Sequence, residues 1–139
     1  GLTISKLIEA KVLLDEADND PDEPRYMAVT AKQLGDLLQT TEITSSDYNS
    51  VKALVEGRID SFMGFQFKRL ERLLVDGDDY RRVIAWVQSG LKLGIGKDTT
   101  ARISERPDKR YSTYAYFCQT LGATRMQERK VVEIKCTES

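Results

Sequence analysis

Histidine is absent from this chain of 139 residues, and cysteine occurs only at Cys118 and Cys136. Since histidine is the side chain that most often performs acid–base chemistry or binds metals near neutral pH, its absence makes catalysis less expected. Two cysteines without a secretory leader favour free thiols in a reducing compartment. No apolar run approaches the roughly 18–20 residues that cross a bilayer, so no membrane partner is expected.

Neither basic nor acidic residues are in clear excess, because the chain has 21 basic and 22 acidic residues and a net charge of −1. A nucleic-acid-binding protein usually shows a basic excess, and this composition shows none. Hydrophobic residues make up 40% and charged residues 31%, which indicates a globular chain rather than a disordered one. A domain of this length buries about 68–70% of the surface that its unfolded form exposes, so it needs no stabilising crosslinks.

The sequence opens with a pattern that predicts an amphipathic helix over residues 2–17, with Thr3 or Ser5 as its cap. Pro21 and Pro24 lie in and just after an acidic segment, residues 15–23, and they end this helix. The side chains expected on or beside its buried face are Ile4, Leu7, Ile8, Val12, Leu13, Leu14 and Ala17.

A short strand is expected next, over residues 25–30. Thr30 and Gln33 then have the spacing of a capping box, which predicts a helix over residues 31–38. A further short helix is expected over residues 46–57, where it ends at a glycine. These helices are expected to pack on one sheet.

The rest of the chain reads as strands and turns. Residues 58–69 alternate around Gly64, which favours a bend or bulge between two strand halves. Residues 76–79 predict a turn, and residues 82–87 are nearly all apolar, which predicts a strand buried on both faces with Trp86 in the core. Further strands are expected over residues 91–95, 101–111, 112–122 and 131–134.

A phosphate-binding loop is an alternative interpretation of residues 94–99, where two glycines precede Lys97. The motif requires a glycine where Leu91 stands and a hydroxyl where Asp98 stands. A strand-to-turn glycine pair is therefore the simpler interpretation. A nucleotide- or phosphate-binding enzyme that uses Gly94 to Thr99 stays open as an alternative function.

A second alternative is a nucleic-acid-binding module, because aromatic residues follow Lys109 and Arg110 and such residues can stack on single-stranded bases. Strand alternation instead puts Tyr114 and Tyr116 on one face and Phe117 on the other. Cys118 is expected to be a small core residue rather than a nucleophile. No residue set predicts catalysis, a cofactor or a metal site.

Four segments of the sequence are similar to segments of a known protein family. They are residues 25–34, 42–49, 57–67 with their Gly-Phe-Gln-Phe strand, and 122–134. In this order they resemble tailed-bacteriophage major capsid proteins of the Hong Kong 97-type fold, over essentially the whole chain. The resemblance implies an α+β fold, in which a mixed β-sheet carries two or three packed helices and a long antiparallel strand pair projects from it.

The resemblance also implies a division of the chain. Residues 1–98 correspond to an axial-domain-like region, residues 99–122 to long strands of the peripheral domain, and residues 123–139 to a return strand and C-terminal tail. The family's N-terminal arm, extended loop and spine helix have no counterpart in this sequence.

The function implied is structural rather than enzymatic. Copies of a major capsid protein self-assemble into pentamers and hexamers of an icosahedral shell, which encloses DNA and touches it without sequence specificity. The implied partners are copies of the chain, with scaffolding or portal proteins as further candidates, and the implied location is the virion, assembled in the host cytoplasm. A bacterial nanocompartment shell shares the fold and is the remaining alternative.

Subunit contacts of a shell are expected at polar loops that meet copies of the same chain. Residues 40–49, residues 76–82 and the polar tip at residues 106–110 have this character. The candidate contact residues are Thr41, Glu42, Ser45, Asp47, Asp78, Asp79, Arg81, Arg82, Arg106, Lys109 and Arg110.

Overall fold

The computed structural model describes residues 1–39 and 60–138. In these ranges a five-stranded mixed sheet carries two α-helices, and a separate two-stranded sheet extends from it. Neither of these two helices is long and apolar enough to cross a membrane. The elements are α1 (Ile4–Glu16), β1 (Arg25–Val29), α2 (Ala31–Gln39), β2 (Ser61–Phe62), β3 (Phe65–Arg69), β4 (Tyr80–Val87), β5 (Leu91–Arg106), β6 (Ser112–Arg125) and β7 (Val131–Thr137).

The main sheet has the strand order β2-β3-β1-β4-β7. Strand β1 lies parallel to β3 and antiparallel to β4, and β7 pairs antiparallel with β4 at the other side. The predicted α+β class with a mixed sheet is confirmed. The helix expected over residues 46–57 and the loop expected over residues 40–49 lie outside the described residues.

One hydrophobic core joins both helices to one face of the main sheet. Strand alternation explains its membership, because every second residue of β1, β3, β4 and β7 points to the helices. Its fully or nearly fully buried members are Leu2, Leu7, Ala10, Leu14, Met27, Val29, Leu37, Phe65, Phe67, Val83, Ala85, Val87, Ile134 and Cys136.

The apolar face predicted for α1 is wider than the face that the protein buries. Ile8, Val12 and Leu13 are 46%, 46% and 50% exposed, whereas Leu7 and Leu14 are fully buried. The helix begins after its cap Thr3, whose hydroxyl accepts a hydrogen bond from the Lys6 amide. A sheet touches only a narrow side of one helix, so the neighbouring apolar positions stay at the surface.

Strand β4 is buried on one face rather than on both, so that prediction is wrong. Ile84 is 36% exposed, and Trp86 is only half-buried. The Trp86 ring stacks on Tyr26, with 5.9 Å between ring centroids, on the sheet face opposite the core residues Val83 and Val87. The described helices cover one face of the sheet only, and therefore the apolar composition of β4 does not imply burial of both.

Gly64 lies in a tight turn and not in a bulge. Met63 and Gly64 have φ angles of 53° and 85°, and they connect β2 to β3 with Phe62 opposite Phe65. Two successive residues with positive φ are the signature of a two-residue hairpin turn, whose twist matches that of the flanking strands. The expected bend between two strand halves is therefore a chain reversal.

The capping box at the start of α2 is confirmed. The Thr30 amide donates to Gln33 Oε1 at 3.1 Å, and the Gln33 amide donates to Thr30 Oγ1 at 3.4 Å. Glu138 joins this cap from the C-terminal end, because its Oε1 accepts from Thr30 Oγ1 at 2.6 Å and its Oε2 accepts from Arg81 Nε at 3.0 Å. Burial raises the pKa of Glu138, but the hydrogen bonds from Thr30 and Arg81 outweigh it and hold the pKa below its usual value.

We expect Glu138→Gln to lower the free energy of unfolding by about 1–3 kcal/mol, the usual cost of losing a hydrogen-bonded charged partner. Because the folded pKa is lowered, Glu138 stabilises the fold above its unfolded pKa of about 4.3 and loses this contribution as pH falls through the folded pKa. Urea unfolding between pH 7 and pH 3 measures both effects. The stability of E138Q should fall less steeply with acid than that of the parent chain.

Glu133→Gln is the matched control, because Glu133 is a more exposed carboxylate that pairs with Arg82 on the same sheet. We expect it to change stability less than E138Q does. An E138Q chain that unfolds with the same pH profile as the parent would contradict the assigned role of Glu138.

Candidate assembly surface

Strands β5 and β6 form a two-stranded ribbon that makes no strand pairing with the main sheet. At about 3.3 Å per residue, the 16 residues of β5 extend about 50 Å. The strands expected over residues 91–95 and 101–111 form one strand that ends at Arg106, since residues 107–109 form a turn. The expected division between residues 98 and 99 falls inside this strand. We call β5 and β6 together the ribbon.

The segment considered for phosphate binding lies inside β5. Two register shifts occur here, one between Ile95 and Lys97 and one between Lys97 and Thr100, and each gives β5 an extra residue relative to β6. The glycine pair is therefore part of a bulged strand and not a strand-to-turn junction. A phosphate loop needs a following helix N-terminus, and β5 continues as strand to Arg106.

One face of the ribbon carries apolar residues in two stretches, which are separated at Gln119 and bounded by Glu105, Thr113 and Arg125. Directly opposed residues share a face, and β6 runs without an extra residue, so its odd-numbered positions all lie on this face. Ile103 is 80% exposed and Phe117 is 65% exposed. We define this apolar stripe as Leu91, Leu93, Ile95, Ala101, Ile103, Ala115, Phe117, Leu121 and Ala123.

The other face of the ribbon is polar and aromatic. Tyr114 lies on it opposite Ser104, and Tyr116 lies opposite Arg102, as alternation predicts. The Arg106 guanidinium lies 5.6 Å from the Tyr114 ring centroid, so one side of this ring is covered. Cys118 is half-buried on the same face, where a hydrogen bond between its side chain and Tyr116 raises the pKa of Tyr116. Cys118 is thus not the core residue that the sequence predicts.

The ribbon is not a stable arrangement by itself. An isolated two-stranded hairpin is at best marginally stable in water, and a contiguous exposed apolar patch marks a surface that another protein segment covers. Several side chains of the stripe are more than half exposed, namely Leu93, Ile95, Ile103, Phe117 and Leu121. The stripe is therefore the candidate assembly surface of this chain, and the list of predicted contact residues misses it.

The base of the ribbon is held by two short helical turns, Gln88–Gly90 and Glu128–Lys130. The Met126 amide donates to the Gly90 carbonyl at 2.9 Å, and Lys130 Nζ donates to Ser89 Oγ at 2.7 Å. The Ser89 amide donates to Glu23 Oε1 at 2.6 Å, and the hydrogen bonding to Ser89 lowers the pKa of Glu23. A Cβ atom at Gly90 would lie 2.9 Å from the Lys130 carbonyl oxygen, so this close packing requires glycine.

The predicted turn at residues 76–79 is confirmed. Asp76 Oδ1 accepts hydrogen bonds from the amides of Asp78 and Tyr80, each at 3.0 Å. Lys135 Nζ lies 2.8 Å from the Asp76 carboxylate, and its hydrogen bond together with that of Tyr80 lowers the pKa of Asp76. Asp78 and Asp79 stay exposed at the surface of the turn.

Arg81 and Arg82, which are predicted subunit contacts, both have partners in their own chain. Arg81 contacts Glu138 and donates to the Leu73 carbonyl at 2.7 Å. Arg82 donates to both oxygens of Glu133, at 2.8 and 2.6 Å. These arginines therefore fix β4 to its surroundings, and their contact with a second subunit stays a prediction.

The remaining predicted contacts divide into two sets. Thr41, Glu42, Ser45 and Asp47 lie outside the described residues. Arg106, Lys109 and Arg110 gather at the ribbon tip, where the turn Pro107–Lys109 is followed by residues with positive φ. The tip lies at the end of β5, whereas Asp78, Asp79, Arg81 and Arg82 lie at the turn before β4 and in β4 of the main sheet.

A family model described as phage capsid protein matches residues 1–138. The chain belongs to the phage capsid protein family. The likeness to tailed-phage major capsid proteins that the sequence predicts is thereby confirmed. No curated protein matches the chain.

Solved phage structures are similar in fold to this chain. A structure of Mycobacterium phage Che8 matches with a TM-score of 0.73 and 19% identity, over 91% of this chain and 46% of that chain. The capsid structure of the cyanophage P-SCSP1u matches with a TM-score of 0.72 and 13% identity, over 97% and 46%. A satellite phage P4 procapsid that includes a size determination protein matches with a TM-score of 0.51 and 15% identity, over 94% and 38%.

These likenesses confirm the predicted capsid fold of the described residues. The chain spans less than half the length of the capsid chains that it matches.

Proposed function

We propose that this chain is part of the major capsid protein of a tailed phage or prophage. In this proposal, copies associate as pentamers and hexamers of an icosahedral shell that encloses DNA. The observation that carries it is the capsid-family match over residues 1–138, and the exposed apolar stripe supports it because such a face requires a protein neighbour. The proposed role is structural and not enzymatic, and it needs no cofactor.

We also propose the division of labour implied by the capsid resemblance. Residues 1–98 serve as an axial-domain-like body, residues 99–122 as peripheral strands, and residues 123–139 as the return to the body. Strand β5 runs across the boundary between residues 98 and 99, so the two parts are joined by one continuous strand.

The binding free energy of each subunit contact in such a shell can be modest, because several neighbours hold each subunit at once. Its inner wall touches packaged DNA through the phosphate backbone and reads no sequence. Scaffolding or portal proteins are further proposed partners, and the similar P4 procapsid, which includes a size determination protein, supports an assembly partner of this kind. The assembled protein is located in the virion, after assembly in the host cytoplasm, and a bacterial nanocompartment shell would share the same body.

We propose that polar loops of the body and the ribbon tip contact neighbouring subunits in this shell. Heterologous contacts between different patches of identical subunits generate closed rings. The proposed contact residues are Thr41, Glu42, Ser45, Asp47, Asp78, Asp79, Arg81, Arg82, Arg106, Lys109 and Arg110.

Shell formation tests the function directly. We expect the coat protein, expressed from its gene, to form closed particles of uniform diameter in negative-stain electron microscopy. The same preparation should sediment as one fast species in velocity ultracentrifugation. A coat protein that stays monomeric in both experiments would contradict the proposal.

A charge-swapped pair tests the contact set within the same assay. Arg82→Glu alone places two carboxylates side by side, whereas R82E with Glu133→Arg restores the ion pair inside the chain with its charges exchanged. If Arg82 contacts a second subunit, the double variant melts like the parent chain and still forms few shells. Normal shells from the double variant would remove Arg82 from the contact set.

A further inference from the structure

Positive and negative side chains are concentrated in different parts of this chain, although its net charge is only −1. The ribbon and its turn, residues 91–125, hold seven basic and three acidic residues, a net charge of +4. The other residues hold fourteen basic and nineteen acidic ones, a net charge of −5. The acidic segment, residues 15–23, contains six acidic residues and no basic one, so it accounts for the whole negative excess outside the ribbon.

Most basic side chains at the ribbon tip form no ion pair with a described residue. Arg106 is paired with Asp108, through two hydrogen bonds at 3.1 and 2.8 Å. Arg102, Lys109 and Arg110 are exposed and form no ion pair with any described residue. The tip therefore presents three positive charges that nothing in the described part of the chain neutralises.

Some carboxylates of the acidic segment likewise have no ion-pair partner among the described residues. Asp15 pairs with Arg25, and Glu23 accepts from the Ser89 amide. Glu16, Asp18 and Asp22 are exposed, and within residues 1–39 and 60–138 their carboxylates have no ion-pair partner. Asp20 is exposed as well and has no ion-pair partner in these ranges, and its Oδ1 accepts a hydrogen bond from the Asp22 amide at 2.9 Å.

The two charged surfaces cannot meet within one molecule. The acidic segment lies at the ribbon base, where the Gln88 amide donates to the Pro24 carbonyl at 2.9 Å and Asn19 Nδ2 donates to the Arg129 carbonyl at 3.2 Å. The tip lies at the far end of β5, about 50 Å away at 3.3 Å per residue. The Debye length at physiological salt is about 8 Å, so the attraction acts only when a second copy supplies the opposite charge.

We infer that the ribbon tip of one copy binds the acidic segment of the next copy. This inference rests on the proposed capsid function and names the partner of the tip residues. Each copy donates its tip to one neighbour and its acidic segment to another, and a head-to-tail contact of this kind closes into rings or extends into a lattice. Complementary charge at both surfaces steers the encounter and rejects tip-to-tip pairing.

Mass spectrometry after carbodiimide crosslinking tests the contact. This reagent joins a lysine amine to a carboxylate only when the two groups touch, and Lys109 is the lysine of the tip. Mixing unlabelled and 15N-labelled chains identifies pairs from different molecules. We expect a mixed-label product that joins tryptic peptide 103–110 to tryptic peptide 12–25. A crosslink pattern without this mixed-label pair would overturn the inference.

Charge reversal provides the second test, in particles formed by the coat protein. The tip variant Lys109→Glu with Arg110→Glu and the segment variant Glu16→Lys with Asp22→Lys should each lower the yield of particles at least about tenfold, since like charges then face each other. The quadruple variant restores opposite charges across the contact and should recover the yield. Lys92→Glu with Lys97→Glu, on the polar face of the ribbon and away from the tip, is the matched control and should assemble normally.

The outcomes separate the inference from the proposed function. Normal particles from the tip and segment variants would overturn the inference and leave the capsid function standing. A quadruple variant that stays defective would overturn it too, because the tip would then bind something else, such as packaged DNA. If the parent protein forms no particles, the proposed function fails, and the mixed-label crosslink in the 139-residue chain still decides the contact.

Discussion

Replacing Ile103 and Phe117 by asparagine is expected to abolish shell formation while leaving the isolated chain nearly as stable as before. Both side chains are mostly exposed in this chain, and surface substitutions usually change stability by less than about 0.5 kcal/mol. In an assembled coat protein each would be buried, and burial of a large apolar side chain contributes about 1.5–3 kcal/mol. Because a shell repeats this loss in every subunit, we expect particle yield to fall at least about tenfold.

The control for this experiment lies on the other face of the same strands. Thr100→Asn with Ser104→Asn places the same residue type at positions that pair with Cys118 and Tyr114, and asparagine is a residue type that is depleted in strands. We expect the control variant to form particles like the parent protein. Counting particles by electron microscopy, with urea unfolding of each chain, separates assembly from stability. Equal yields from the two double variants would show that the apolar stripe is not a covered surface.

The largest expected effect on stability comes from Phe65→Ala, which should lower the free energy of unfolding by about 3–5 kcal/mol. Phe65 is fully buried in the core that joins the helices to the sheet, and truncation removes its contacts and leaves a cavity. Since domains are stable by only about 5–15 kcal/mol in total, this variant is expected to be partly unfolded at 37 °C. Urea unfolding monitored by Trp86 fluorescence measures the change.

Phe62→Ala is the matched control for the core substitution. Phe62 lies directly opposite Phe65 in the short edge strand β2 but is only partly buried, so its truncation opens a smaller cavity. We expect less than half of the loss caused by Phe65→Ala. If the two variants unfolded at the same urea concentration, Phe65 would not occupy the central place in the core that the structure assigns to it.

Local features of the chain follow from residue type and spacing. Thr30 and Gln33 form the capping box that their spacing predicts, because both partners lie within one turn of helix. The aspartates at residues 76–79 form the expected turn, since a short carboxylate reaches amides two and four residues ahead. Capsid family membership was also readable in advance, from the order of elements along the whole chain.

The position of subunit contacts is less accessible to sequence reasoning. Lys109 and Arg110 are exposed and uncommitted, as a contact residue should be, whereas Arg81 and Arg82 have partners in their own chain. A polar loop looks the same in sequence whether its charges are paired internally or left free. The apolar stripe occupies odd-numbered positions in both halves of β5, because the two extra residues together restore the phase of the alternation. The sequence therefore shows the alternation but not whether this face is covered by the core or left exposed.

By itself the sequence determined the two described helices, the turn at residues 76–79, the absence of histidine and the balance of charge, because each depends on neighbouring residues or on composition alone. Only the tertiary structure decided which apolar faces are covered. The sheet buries Leu7 and Leu14 of α1 but leaves Ile8 and Val12 half exposed, and no described residue covers the stripe of the ribbon. Burial depends on what packs against a face, and an alternating pattern carries no information about whether a partner is present.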